Sequence, residues 1–187
     1  MSLSADLYHT FGKVQTNLLV EGFYTILDDV FALRDMDDAA DGGKVKERYN
    51  GSGATVRGFN VEGRAAFTRW FELQAGVTLQ QSRYKEPEFW SEDAEVPPVR
   101  RMFRTPDTYG YFTASFKPVR NFTADLSGTC TGSMLVQHMA GSGVAQDVAV
   151  STPSFFDMNI RLSYDVRIYK EITMQPVSYT HLTLPTI

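Results

Sequence analysis

Long hydrophobic runs are missing from these 187 residues. With them goes any transmembrane helix, which needs about twenty consecutive apolar residues. Cysteine is nearly absent: Cys130 stands alone, so neither a disulfide framework nor a cysteine zinc site can form. It reads instead as a small apolar residue on a strand. The three histidines, His9, His138 and His181, lie far apart and without the spacing of metal ligands. Basic residues are not in excess, 18 Lys and Arg facing 22 Asp and Glu, which argues against a nucleic-acid partner. No G-x-S-x-G elbow, P-loop or dinucleotide fingerprint occurs, so no catalytic residue, metal or cofactor is expected. Nor does a signal peptide open the chain, because SLSADLYHTF alternates from the start.

What the sequence has in abundance is alternation with a period of two. In SFFDMNIRLSYDVR, Phe156, Met158, Ile160, Leu162, Tyr164 and Val166 fall on one side, opposed by Asp157, Asn159, Arg161, Ser163, Asp165 and Arg167. FELQAGVTLQ sets Leu73, Ala75, Val77 and Leu79 against Glu72, Gln74 and Thr78, and NFTADLSGTCT sets Ala124 and Leu126 against Asp125 and Ser127. GFNVEGRAAF and TYGYFTASF behave alike, whereas VQTNLLVEGFYTI is spoiled by Leu19 and Phe23 on its polar side. Period two is the mark of a strand with one apolar and one polar face. The expected fold is all-β, an antiparallel up-and-down meander of about eight strands.

The connections alternate as well. Short ones fall at 12–13, 68–70, 117–121 and 169–171; long polar ones fall at 34–52, 82–107 and 138–153. In a meander this puts every short turn at one end and every long loop at the other, as in bacterial outer-membrane barrels. Aromatic residues Phe11, Phe67, Trp70, Phe71, Phe116, Phe122 and Tyr169 flank the short turns, where an interfacial girdle would lie. The polar faces use arginine while lysine keeps to turns and loop margins. Arginine's planar fork suits a crowded lumen of paired charges. The strands also exceed the usual length of about five or six residues. The apolar side is therefore expected to face lipid, and the fold to be an open segment of a large transmembrane β-barrel.

The runs PPVRRMFRTPDTYGYFTASFKPVRNFTADLSGTCTGSMLVQHMAG, ATVRGFNVEGRAAFTRWFELQAGVTLQQSRY and SFFDMNIRLSYDVRIYKEITMQ together resemble the C-terminal barrel region of TonB-dependent outer-membrane receptors, especially those of Bacteroidetes. The resemblance reaches Gln175 and implies about the last third of a barrel of about twenty-two strands. It also implies a receptor of the bacterial outer membrane that imports a scarce nutrient, an iron–siderophore, cobalamin or the like. Its partners would be outer-membrane lipid, a plug domain of the same full-length chain, and TonB acting through an N-terminal region that this sequence lacks. The closing strand would be missing too. A soluble lipocalin-like barrel, a passive porin and an outer-membrane hydrolase barrel are the rival readings; the last would need a catalytic constellation for which only His138 is available near the loops.

Two groups of residues are candidate ligand contacts. In EPEFWSEDAEVPPVRRMFR, Trp90, Arg100, Arg101 and Arg104 suit an anionic or aromatic ligand at an extracellular loop. The plainer expectation is that these arginines pair with Glu86, Glu88, Glu92, Asp93 and Glu95. Glu62, Arg64, Asp125, Arg161 and Asp165 are expected to face the lumen, bonded to one another or to the plug. RDMDDAADGG offers Asp35, Asp37, Asp38 and Asp41 as calcium donors, but its spacing departs from the EF-hand and a solvated acidic loop is preferred.

The end of the chain, PVSYTHLTLPTI, breaks the family pattern. Val177 to Thr186 can be encoded by GTCTCTTATACACATCTGACGCTGCCGACG, which resembles the adapter of transposase-based sequencing libraries. Residues 1–175 are thus expected to be the partial barrel and 176–187 a non-native tail.

Overall fold

Alternation on this scale leaves the backbone one economical solution, a single layered sheet. The computed structural model describes residues 1–35, 46–91, 93, 95–141, 143–170 and 172–185. The acidic stretch containing Asp37, Asp38 and Asp41 lies outside the described residues, as do Glu92 and Glu171. The strands are Ser2–Phe11 (β1), Val14–Leu27 (β2), Phe31–Asp35 (β3), Lys46–Asn50 (β4), Ala54–Thr68 (β5), Phe71–Glu88 (β6), Val99–Arg101 (β7) and Thr108–Val119 (β8). They continue as Phe122–Thr131 (β9), Leu135–His138 (β10), Val148–Ser151 (β11), Phe155–Tyr164 (β12), Val166–Tyr169 (β13), Ile172–Met174 (β14) and Val177–Pro185 (β15). The described residues contain no helix.

The main sheet is antiparallel, in the order β1-β2-β5-β6-β8-β9-β12-β15, with β7 also pairing with β6. It runs up and down and does not close. The expected all-β meander of about eight strands is what the chain forms. Three two-stranded ribbons, β3-β4, β10-β11 and β13-β14, stand off it. Two of them occupy connections that the sequence presents as loops. β6 likewise runs on to Glu88, through residues expected to be loop, because β5 pairs with it as far as Tyr84 and β7 meets it at Glu88.

Register turns the alternation into two continuous faces. One row crosses all eight strands as Leu7, Leu18, Gly63, Ala75, Phe112, Gly128, Met158 and Leu182. The adjacent row reads Tyr8, Asn17, Arg64, Gln74, Thr113, Ser127, Asn159 and His181. Because partners across a ladder project to the same side, the first row belongs to an apolar face and the second to a polar one. Leu73, Val77, Leu126, Ile160 and Leu162 are on the apolar face; Glu62, Arg64, Asp125 and Arg161 share the polar one. Among the described residues neither face is covered by a second layer. Among the described residues Ala54 is the one buried apolar residue, at 0% exposure.

Phe23 breaks the polar face for a local reason. It stands opposite Gly58, and a Cβ added at Gly58 would meet its ring at 2.8 Å. Tyr111 lies over Gly76 in the same manner, at 2.7 Å. On the other face Phe112 and Phe156 cover Gly128, their rings stacked 6.3 Å apart. Glycine inside a strand weakens it unless a neighbour fills the gap, and a ring across the ladder does so.

The two ends of the sheet differ as the turn lengths require. β1–β2, β5–β6 and β8–β9 are joined by tight turns, where Gly12 has φ +63° and open space around it. Trp70 packs edge-on against Phe116 at 5.4 Å, Phe67 stacks on Phe71 at 5.6 Å, and the Lys117 amide donates to the Trp70 carbonyl. The long connections, with Trp90, Arg101 and Gly141, gather at the opposite end.

Val177–Pro185 pairs with β12 in register, Met158 facing Leu182 and Asn159 facing His181. A segment of any origin that alternates polar and apolar residues can add to an open edge. The pairing therefore carries no information about where these residues come from.

Candidate functional site

On the polar face the side chains bond across strands. Gln74 donates to Glu62 at 2.7 Å and to the Tyr111 hydroxyl at 3.1 Å. Thr78 donates to Asn60 at 2.8 Å, and Asn60 donates on to Glu21 at 3.0 Å. Asn17 donates across to Asp6, which also accepts from Tyr8 within β1. Arg64 pairs with Glu72 at 2.6 Å, and Ser115 donates to Asp125 at 2.7 Å. Such bonds arise because the register sets donor opposite acceptor on neighbouring strands. The face is a hydrogen-bonded lining, in which an exposed ion pair such as Arg64–Glu72 contributes little because water screens it.

Four of the five residues expected to face a lumen thus share this lining. Arg161 stands in register with Asp125 on one side and Tyr179 on the other. Asp165 lies just past the end of β12, its amide donating to the Asn121 carbonyl and its carboxylate accepting from Gln175 at 2.7 Å.

The second cluster sits at the loop end. Trp90 packs edge-on against Phe103 with ring centres 5.5 Å apart. Arg101 donates through Nη2 to the Ser133 carbonyl at 2.8 Å and reaches Asp107 at 3.1 Å. Arg100 lies against the Lys85 carbonyl at 3.4 Å, and Arg104, exposed, has a left-handed backbone at φ +55°. The acid that Arg101 uses is Asp107, outside the group of near neighbours expected to neutralise it. Glu88 takes its hydrogen bond from Tyr49 at 2.6 Å.

Beneath this cluster Ser82 is 1% exposed, and among the described residues its Oγ has no hydrogen-bond partner, nor do Trp90 Nε1 and Arg101 Nε. Burial lifts the Tyr84 hydroxyl above the ordinary phenol range, with Glu88 adding to the effect and a backbone bond at Phe103 opposing it. A further tie joins two loops: Ser91 donates to Asp147 at 2.7 Å, and the Ala140 amide donates to the same carboxylate at 2.7 Å. Ser133 and Asp147 are invisible to motif reading, since Arg101 and Ser91, which bond to them, lie 32 and 56 residues away.

The histidines fall on three strands. His9 packs edge-on against Phe11 on β1, His138 ends β10, and His181 on β15 lies within 2.7 Å of Asn159 and 3.2 Å of Asp157. Among the described residues no group of three or more His, Cys, Asp or Glu could hold a metal ion. What fold and lining define is an open antiparallel meander with one bonded polar face and one bare apolar face. No family model matches this chain, and no curated protein matches it either.

Proposed function

We propose that the chain is a barrel segment of a TonB-dependent receptor of the bacterial outer membrane, a carrier of a scarce nutrient and not an enzyme. The observation that carries this reading is the contrast between faces. On the apolar side Phe59 is 63% and Leu79 53% exposed, while on the polar side Thr78 is 9% exposed with its hydroxyl bonded. A sheet in water hides its oily face at about 25 cal/mol per Å² of apolar surface removed. This one crowds its polar face instead, as the lumen side of a wide barrel would, and leaves the oily face for lipid.

The separation of turns from loops supports the same reading, with short turns on the periplasmic side and long loops outside. In that orientation Trp90, Arg100, Arg101 and Arg104 sit at the outer mouth, suited to a small anionic or aromatic nutrient. The polar face would meet a plug domain, whose TonB contact supplies the energy for release inward.

Site-directed spin labels in the intact protein, with Cys130 first replaced by serine, test the facing. Labels at Leu73, Val77 and Leu79 should collide with oxygen dissolved in lipid, and labels at Gln74 and Thr78 with a water-soluble relaxant. The reverse pattern would return the chain to the soluble barrels. Uptake of nutrient that survives collapse of the inner-membrane potential would favour a passive porin.

A further inference from the structure

On the apolar face, toward the loop end, a groove of about 700 Å³ opens across β1, β2, β5 and β6. Gly22 forms its floor, Leu3, Phe59 and Leu79 line it, and Arg57 and Gln81 stand at its far end. The groove exists because Gly22 lacks a side chain, the ring of Phe59 standing 3.4 Å from where a Cβ would be.

Its rim is cationic, which separates it from the rest of this face. Arg57 donates through Nε and Nη2 to the amide oxygen of Gln81, at 3.2 and 2.8 Å. Arg83 is two residues beyond Gln81 on the same side of β6, in register with Thr55. At about 3.4 Å per residue that is about 7 Å further toward the loops. Lys85 continues the row but is already paired with Asp28. Among the described residues neither Arg57 nor Arg83 has a carboxylate partner. Gln81 orients the Arg57 fork without neutralising it.

We propose that this groove is a site for a phosphate-bearing membrane lipid. An acyl chain lies over Gly22 between Leu3, Phe59 and Leu79, and the phosphate is held by Arg57 and Arg83. The charge complementarity selects the occupant: a guanidinium fork matches phosphate in bidentate fashion. Basic residues just beyond an apolar band meet the headgroup level of a bilayer. The site rests on the membrane reading above, and it lies in the leaflet on the long-loop side.

The test uses the intact protein carrying this chain, purified in detergent and stripped of lipid. Native mass spectrometry would compare phosphatidic acid, uncharged diacylglycerol with the same acyl chains, and inorganic phosphate. Phosphatidic acid should bind about tenfold more tightly than diacylglycerol, the scale of one charge-assisted hydrogen bond. The Arg57→Gln/Arg83→Gln variant should bind the two lipids alike. Gly22→Leu, which fills the floor, should weaken both. Equal binding by the native protein, or undiminished preference in the arginine variant, would overturn the site. So would displacement of the lipid by inorganic phosphate at equal concentration, which would mark a simple anion site. Insertion into vesicles, read as heat-modifiable gel mobility, separates the two ideas. A protein that inserts without headgroup preference loses the lipid site and keeps the barrel, whereas one that never inserts loses both.

Discussion

The turn end and the loop end of this sheet are built on different terms. At the turn end the contacts are aromatic: Phe67 stacks on Phe71, and Trp70 meets Phe71 and, from the next hairpin, Phe116. At the loop end Ser91 reaches Asp147, Lys85 reaches Asp28 and Tyr49 reaches Glu88. The first end is a row of hairpins, each touching the next through a ring or a backbone bond. The second is a small assembly of loops and ribbons, and it holds both Ala54, the one buried apolar residue among those described, and the buried Ser82. Long-range cohesion is concentrated at the end that carries the long connections.

Nature has placed one tryptophan at each end, Trp70 and Trp90, so fluorescence can follow the two separately. The largest effect is expected from Ala54→Asp, which puts a charge where exposure is 0%. It should cost about 3 kcal/mol or more. Trp90 emission in a Trp70→Phe background should shift red at lower urea, while the turn end holds. A uniform loss at both ends would break the comparison.

Gly128→Val comes next. The added atoms collide with the Phe112 and Phe156 rings in the middle of the sheet, at about 1–3 kcal/mol. Both tryptophans should then report the same lowered midpoint. Trp70→Ala should remove an edge-on contact worth about 0.5–1.5 kcal/mol beyond its area, and limited proteolysis should quicken at 68–70 while leaving 89–107 unchanged. Asp147→Ala is the mildest, about 1 kcal/mol for the lost loop bonds. It should expose 89–107 and 139–147 to protease together, because one carboxylate ties both.

The same contrast explains what was legible in the sequence. The meander could be read directly, since alternation is a local property and Leu73, Val77 and Leu126 announce their face by spacing alone. The turn end could be read for the same reason. Phe23 looked like a flaw because its justification, Gly58, is on another strand. The ribbon Leu135–His138 with Val148–Ser151 was hidden because each strand has four residues, too few for a period to show. Arg101 was visible as a candidate, but its partners Asp107 and Ser133 are chosen by how loops lie against each other. For the last residues, the genomic sequence after the Gln175 codon decides between a native strand and an adapter scar.

The rings that lie over glycines have a consequence for how such a sheet finds itself. A strand that slips by one residue turns its oily side to the wrong face and is rejected at once. A slip of two restores the faces and is nearly invisible to hydrophobicity. In this meander, with alternation so regular, a two-residue slip is the error most in need of a guard. Phe23 on Gly58, Tyr111 on Gly76 and Phe112 on Gly128 are that guard, one on β2–β5, one on β6–β8 and one on β8–β9. Moved two places, Tyr111 would face Gln74 or Thr78, Phe112 would face Leu126 or Cys130, and the rings would have no recess to enter. They act as a vernier, admitting one alignment among several that patterning alone would allow.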